Sequence, residues 1–151
     1  MKPLIVLLTS FFVAAIVLKL SAGAVDWGLA GRIGLAIMLA FTALGHFLFT
    51  EGMALMLPPS VPFRKELIYL TGILEIFGAI CLLIPGWEGV TGWALILFFL
   101  ALLPANVYAA YNEINYEKPQ AKGPGVKYLW FRVPLQILFI AWTYFSSIHR
   151  W

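Results

Sequence analysis

Charged residues are scarce in this sequence. They make up 11% of the 151 residues, whereas 62% are apolar. A soluble domain of similar length is typically about half apolar and about a quarter charged. So few charged residues cannot cover the surface of a soluble globular protein, which excludes that class. The high hydrophobicity excludes intrinsic disorder. The composition therefore predicts a small membrane protein that forms one domain over residues 1–151.

Cysteine and histidine are also scarce. The single cysteine, Cys81, excludes an internal disulfide, a CxxC redox pair and a cysteine-based zinc site. With only two histidines, we expect no metal site. The net charge is +3, but the ten Lys and Arg residues lie mostly at the ends of apolar runs. This distribution is typical of topology signals, so the expected partner is the lipid bilayer and not nucleic acid.

Long apolar runs dominate the rest of the chain. Five can be marked, at residues 4–20, 27–50, 67–86, 89–112 and 126–148. About 20 helical residues cross a bilayer, and helices satisfy their own backbone polar groups in lipid. We therefore predict an all-α fold, a polytopic transmembrane helical bundle of five helices. The first run has two interpretations: Lys2, an apolar stretch and Ala22-Gly23-Ala24 imitate a signal peptide, whereas Lys19 favours a retained helix.

The basic residues predict the orientation of this bundle. Alternating the helices places seven on one side and three on the other: Lys2, Arg64, Lys65, Lys118, Lys122, Lys127 and Arg132 against Lys19, Arg32 and Arg150. Loops rich in Lys and Arg stay in the cytoplasm. We therefore expect a multi-pass membrane protein with its amino terminus in the cytoplasm and its carboxyl terminus outside. The loop at residues 51–63, broken by three prolines, is expected to lie at the interface, or alternatively to act as a lid over a cavity.

Five strongly polar side chains lie inside the apolar runs. They are His46, Glu75, Asn106, Arg132 and Gln136. At about 1.5 Å per residue, each lies about 6 to 13 Å from the basic end of its helix. Their common depth predicts one intramembrane pocket, because ionisable groups at such depth are rare and usually functional. A structural alternative is a buried Glu75–Arg132 ion pair whose hydrogen bonds Asn106 and Gln136 complete.

Several short motifs suggest a family. They are Gly45-His46-Phe47, Leu57-Pro58-Pro59, Tyr69-Leu70-Thr71-Gly72, Glu75-Ile76-Phe77-Gly78-Ala79, Pro104-Ala105-Asn106-Val107-Tyr108 and Arg132-Val133-Pro134-Leu135-Gln136. In this order, over residues 28–147, they resemble the DoxX family. That resemblance implies a bacterial inner-membrane, DoxX-like four-helix core, here with one N-terminal helix in front. It also implies an association with quinone or thiol redox systems, although this chain lacks a cysteine pair.

These observations lead to three hypotheses about function. The first is a pocket that binds a small hydrophobic or quinone-like molecule in a redox-associated system; any enzyme would then be a quinone-linked oxidoreductase subunit. Tyr108 joins the five polar residues as a predicted binding residue, because aromatic rings could line a flat ligand. The second is a non-enzymatic interaction or assembly factor whose polar cluster is structural. The third is a small-solute transporter that acts as an oligomer. Expected partners are a redox or assembly protein, or further copies of the chain.

Overall fold

The computed structural model describes residues 2–149, and about three quarters of these residues are helical. Six α-helices follow one another: α1 (Lys2–Ala22), α2 (Trp27–Leu48), α3 (Thr50–Ala54), α4 (Arg64–Cys81), α5 (Glu88–Tyr111) and α6 (Leu129–Thr143). A 3-10 turn (Val126–Tyr128) precedes α6, and a π-helical turn (Tyr144–Ile148) follows it. Within the described residues there is no β-strand, only one isolated bridge between Ile114 and Lys122. The all-α prediction is confirmed. Arg150, used above for topology, lies outside the described residues.

Within residues 2–149, three helices are long and apolar enough to cross a membrane: α1, α2 and α5. This is consistent with a membrane protein. The third and fifth apolar runs also fold as helices, but more briefly than predicted. The first turn of α4 carries Arg64, Lys65 and Glu66, and the helix ends at Cys81. Helix α6 has 15 residues and is followed directly by the π-helical turn.

Helix α2 lies at the centre of the packing, and glycines bring its neighbours close to it. A Cβ on Gly34 would lie 3.1 Å from the carbonyl oxygen of Leu7 in α1. On α4, a Cβ on Gly72 would lie 3.0 Å from the Cβ of His46. Such small residues let helix backbones approach each other. The resulting core contains the buried side chains Leu7, Leu35, Met38, Leu39 and Leu82. Whether α1 is retained in the mature protein stays a prediction.

One end of the bundle is covered by a structure that we call the end cover, formed by α3 and residues 112–128. The hydroxyl of Thr50 donates to the carbonyl of His46 at 2.6 Å, which ties α3 to the last turn of α2. A Cβ on Gly52 would collide with the backbone carbonyl of Tyr116, so α3 and the later segment touch at a position that only glycine allows. Lys2 contacts Glu117 at this same end. The start of α1 and the end of α5 are therefore brought together here.

Candidate ligand-binding cavity

A cavity of about 650 Å³ lies between α2, α4, α5, α6 and the end cover. Five of the six predicted binding residues line it: His46, Glu75, Asn106, Arg132 and Gln136. Most of the remaining lining is apolar, with Phe98, Phe99 and Phe139 among the aromatic side chains. The structure thus brings together polar residues from four helices. Their role in binding a ligand stays a prediction.

Tyr108 is the predicted residue that does not line the cavity. It follows Asn106 by two positions on α5. Two residues correspond to a rotation of about 200° around a helix with 3.6 residues per turn. Asn106 faces the cavity, so Tyr108 is turned away from it. Its role in binding a ligand stays a prediction, and the structure places it outside this cavity.

His46 and Glu75 form the polar centre of the cavity. The Nε2 of His46 lies 3.5 Å from the Oε2 of Glu75, and both side chains are buried. The other ring nitrogen, Nδ1, lies 2.9 Å from the hydroxyl oxygen of Thr71, which fixes the plane of the imidazole. A proton on Nε2 or on the carboxyl would make their contact attractive, and both groups can carry one. The pair can therefore hold one exchangeable proton that faces the cavity.

The carboxylate of Glu75 is incompletely satisfied. The residue is only 3% exposed, yet its Oε2 has no hydrogen-bond partner among the described residues. The His46 nitrogen is within ion-pair distance, but the contact does not have hydrogen-bond geometry. Leaving a buried acceptor unpaired typically costs about 1 to 3 kcal/mol. A donor supplied by a ligand would remove this cost.

The alternative ion pair between Glu75 and Arg132 is not formed in the described part of the chain. The salt bridge of Glu75 is to His46, because Gly72 lets α4 approach α2 at that level. Arg132 lies instead beside the ring of Tyr128, with 5.9 Å from its Cζ to the ring centroid. Its guanidinium lines the cavity from α6. The carboxylate and the cation are thus separate features of one site.

Asn106 on α5 and Gln136 on α6 lie near Pro104, which stands inside the continuous helix α5. Pro104 has no N–H to donate to the carbonyl of Leu100, four residues earlier. The Nε2 of Gln136 donates to the carbonyl of Phe99 in this region at 2.6 Å and so joins α6 to α5. Asn106 is buried and lines the cavity two residues after the proline. The amide of Gln136 therefore has a structural bond, although its position also borders the cavity.

Three further residues border the cavity at the end cover and were not predicted from the sequence: Lys2, Tyr116 and Glu117. The Nζ of Lys2 donates to Glu117 at 2.9 Å, and this hydrogen bond lowers the pKa of the Glu117 carboxyl from its ordinary value. Burial raises the pKa of the neighbouring Tyr116 hydroxyl. All three residues line the cavity. Opposite charges 115 positions apart carry no periodic signal, so only the fold reveals that they meet.

Comparison with protein families assigns the chain. A family model described as a domain of unknown function (DUF8561) matches residues 35–147. The chain belongs to the DUF8561 family. Its resemblance to DoxX is therefore wrong. The motifs behind it combine glycine, proline and apolar residues, which membrane helices use widely for close packing and kinks.

The DUF8561 match also shows which part of the chain carries the site. It begins within α2 and ends within the π-helical turn. All five polar cavity residues therefore lie inside the family domain, whereas Lys2 and α1 precede it. No curated protein and no solved structure matches the chain. Among the described residues, no group of three or more His, Cys, Asp or Glu side chains could hold a metal ion.

Proposed function

We propose that this DUF8561 protein is a five-span inner-membrane protein whose cavity binds a small, largely apolar molecule with a polar head of quinone-like chemistry. Helices α1, α2 and α5 meet the length and hydropathy needed to cross a membrane. Helix α4 with the apolar residues after Cys81, and α6 with its π-helical turn, would complete the bundle. The protein would act in a redox-associated system of the bacterial inner membrane.

The observation that carries this proposal is the Oε2 of Glu75, which faces His46 at ion-pair distance but accepts no hydrogen bond within the described residues, in a mainly apolar cavity. A protein that used Glu75 only to hold helices together would gain most by pairing it fully. The volume of about 650 Å³ falls within the range of about 300 to 1,000 Å³ that is usual for small-molecule sites. An apolar pocket with a few converging polar groups is also the usual design of such sites.

The chemistry of the cavity fits a ring that carries both carbonyl and hydroxyl forms. The hydroxyl of a reduced quinone would donate to the Oε2 of Glu75. The carbonyl of the oxidised form would accept a hydrogen bond from the proton held by the His46–Glu75 pair. The side-chain amide of Asn106 would donate a second hydrogen bond. The phenylalanine side chains of the lining would contact the ring faces. Arg132, at the edge of the site, would favour the electron-rich reduced form.

The orientation of the protein in the membrane follows from its charges. Lys2 and Lys65 lie in the region of the end cover, where they contact Glu117 and Glu51. The connection that carries Lys118, Lys122 and Lys127 belongs to the same end of the bundle. Basic loops favour the cytoplasmic side. The cavity would therefore lie in the cytoplasmic half of the membrane.

Equilibrium binding of a short-chain benzoquinone and its hydroquinone tests this function. Wild type, Glu75→Gln and Arg132→Met would be compared in detergent by isothermal titration calorimetry. We expect Glu75→Gln to weaken hydroquinone binding about tenfold or more, because a hydrogen bond to a charged group contributes about 1.5 to 3 kcal/mol to the binding free energy. Glu66→Gln is the matched control, since Glu66 lies exposed on α4 and does not line the cavity. Absent binding in wild type, or equal binding in all variants, would contradict the proposal.

A further inference from the structure

The outer face of α2 carries a continuous apolar stripe. Ile37, Phe41, Leu44 and Leu48 follow one another at spacings of four, three and four residues, which places them on one face of the helix. All four side chains are exposed, Leu44 at 59% and Leu48 at 74%. In a membrane-spanning helix such a stripe faces the acyl chains of the lipid.

Three residues of this stripe also line the cavity. Phe41, Leu44 and Leu48 belong to its wall, whereas Ile37, which is 46% exposed, does not. We call these three residues the α2 opening. They are at once exposed at the apolar surface and part of the cavity, so the cavity reaches the lipid-facing side of α2 there. The opening extends over about 10 Å along the helix, at about 1.5 Å per residue.

The other end of the cavity carries charged groups. The Lys2–Glu117 ion pair lies there, with the two side chains 67% and 37% exposed, and a Cβ on Gly52 of α3 would meet the backbone of Tyr116. Met53 and Met56 also line the cavity. A hydrocarbon tail that left by this end would meet charged groups, whereas a tail that left through the α2 opening would meet apolar side chains.

We propose that the ligand is a lipid-soluble molecule with a long hydrocarbon tail that reaches the cavity sideways from the bilayer. This inference rests on the function proposed above. The head group lies at Glu75 and His46, and the tail leaves through the α2 opening into the acyl chains. Each methylene kept out of water contributes about 0.8 kcal/mol, so a tail is more stable in the apolar surroundings of the α2 opening than at the charged end. The occupant of the α2 opening is this tail.

The test uses the full chain in lipid nanodiscs and two probes, a hydroquinone without a tail and the same ring with a decyl tail. Leu44→Trp narrows the α2 opening, and Ile37→Trp is the matched control on the same exposed stripe outside the cavity. We expect Leu44→Trp to slow association of the tailed probe tenfold or more, and to slow the tailless probe by a much smaller factor. Ile37→Trp should behave as wild type with both probes. Leu48→Trp provides a second variant with the same expectation, should Leu44→Trp fail to fold.

The outcomes separate the two proposals. If the tailed probe associates equally fast with Leu44→Trp, Leu48→Trp and Ile37→Trp, sideways access is overturned, while binding of the tailless probe that depends on Glu75 would leave the proposed function standing. Slowing of both probes to the same extent would also overturn it, because the α2 opening would then serve the head group. If neither probe binds wild type, the proposed function and this inference both fail.

Discussion

Replacing Glu75 by leucine separates a binding role from a structural role. The carboxylate is 3% exposed and its Oε2 makes no hydrogen bond within the described chain. Leucine has a similar volume and needs no partner. In the ligand-free protein we therefore expect Glu75→Leu to raise the free energy of unfolding by about 1 to 3 kcal/mol, the usual cost of an unpaired buried polar group. His46 can remain as a neutral imidazole held by Thr71, so no buried charge is left behind.

The same substitution should have the opposite effect on the ligand. A hydrogen bond to a charged group contributes about 1.5 to 3 kcal/mol, and each 1.4 kcal/mol changes an equilibrium constant tenfold. We expect hydroquinone binding to weaken by about ten- to a hundredfold. Higher stability with weaker binding is the usual sign of a residue kept for function.

Both quantities can be measured on one preparation. Unfolding in mixed micelles of increasing denaturing detergent, followed by circular dichroism, gives the free energy, and calorimetry gives the affinity. Leu74→Met is the matched control, because Leu74 also lines the cavity and the exchange conserves volume. A loss of about 3 to 5 kcal/mol in Glu75→Leu, as expected when one partner of a required buried ion pair is removed, would refute the reasoning.

Three further predictions concern the cover and the helix contacts. Gly52→Ala should destabilise the protein by about 1 to 3 kcal/mol, because the added methyl group meets backbone and not a flexible side chain, whereas Gly89→Ala, with open space around it, should change unfolding by less than about 1 kcal/mol. Glu117→Gln should lower the unfolding midpoint slightly at neutral pH. Since the pKa of Glu117 is lowered in the folded protein from 4.5, the pair stabilises fully above that value, and the difference from wild type should vanish as the pH falls through the lowered pKa; a difference that grows in acid would contradict this. Gln136→Leu should cost about 1 kcal/mol in the same unfolding assay, from loss of its bond to an α5 carbonyl, and an unchanged midpoint would show that this bond contributes nothing.

Depth along the helices could be predicted well. The positions of His46, Glu75 and Asn106 relative to their helix ends placed them at one level, and the structure brings them to one cavity. Depth is readable because every helical residue advances by the same rise. The direction in which a residue faces around the helix axis is harder to predict than its depth. Tyr108 lies at nearly the depth of Asn106 but is turned away from the cavity.

Pairing could not be predicted. The charges and depths of Glu75 and Arg132 suggest an ion pair as one alternative, whereas the salt bridge of Glu75 in the structure is to His46. The choice depends on which helices come close at that level, and Gly72 decides it by admitting α4 to α2. Short motifs were equally insufficient for the family, since the packing and kinking residues that they contain are common to many membrane helices.

By itself, the sequence determined that the chain is helical, apolar enough for a membrane, and polar at one common depth. These properties follow from composition and from the fixed rise of a helix, both of which are local. Only the tertiary structure decided that Glu75 meets His46, that Lys2 reaches Glu117 across the end of the bundle, and that the residues of the α2 opening are both exposed and part of the cavity wall. Such contacts depend on how the helices rotate and approach one another, and that is set by packing between residues far apart in the chain.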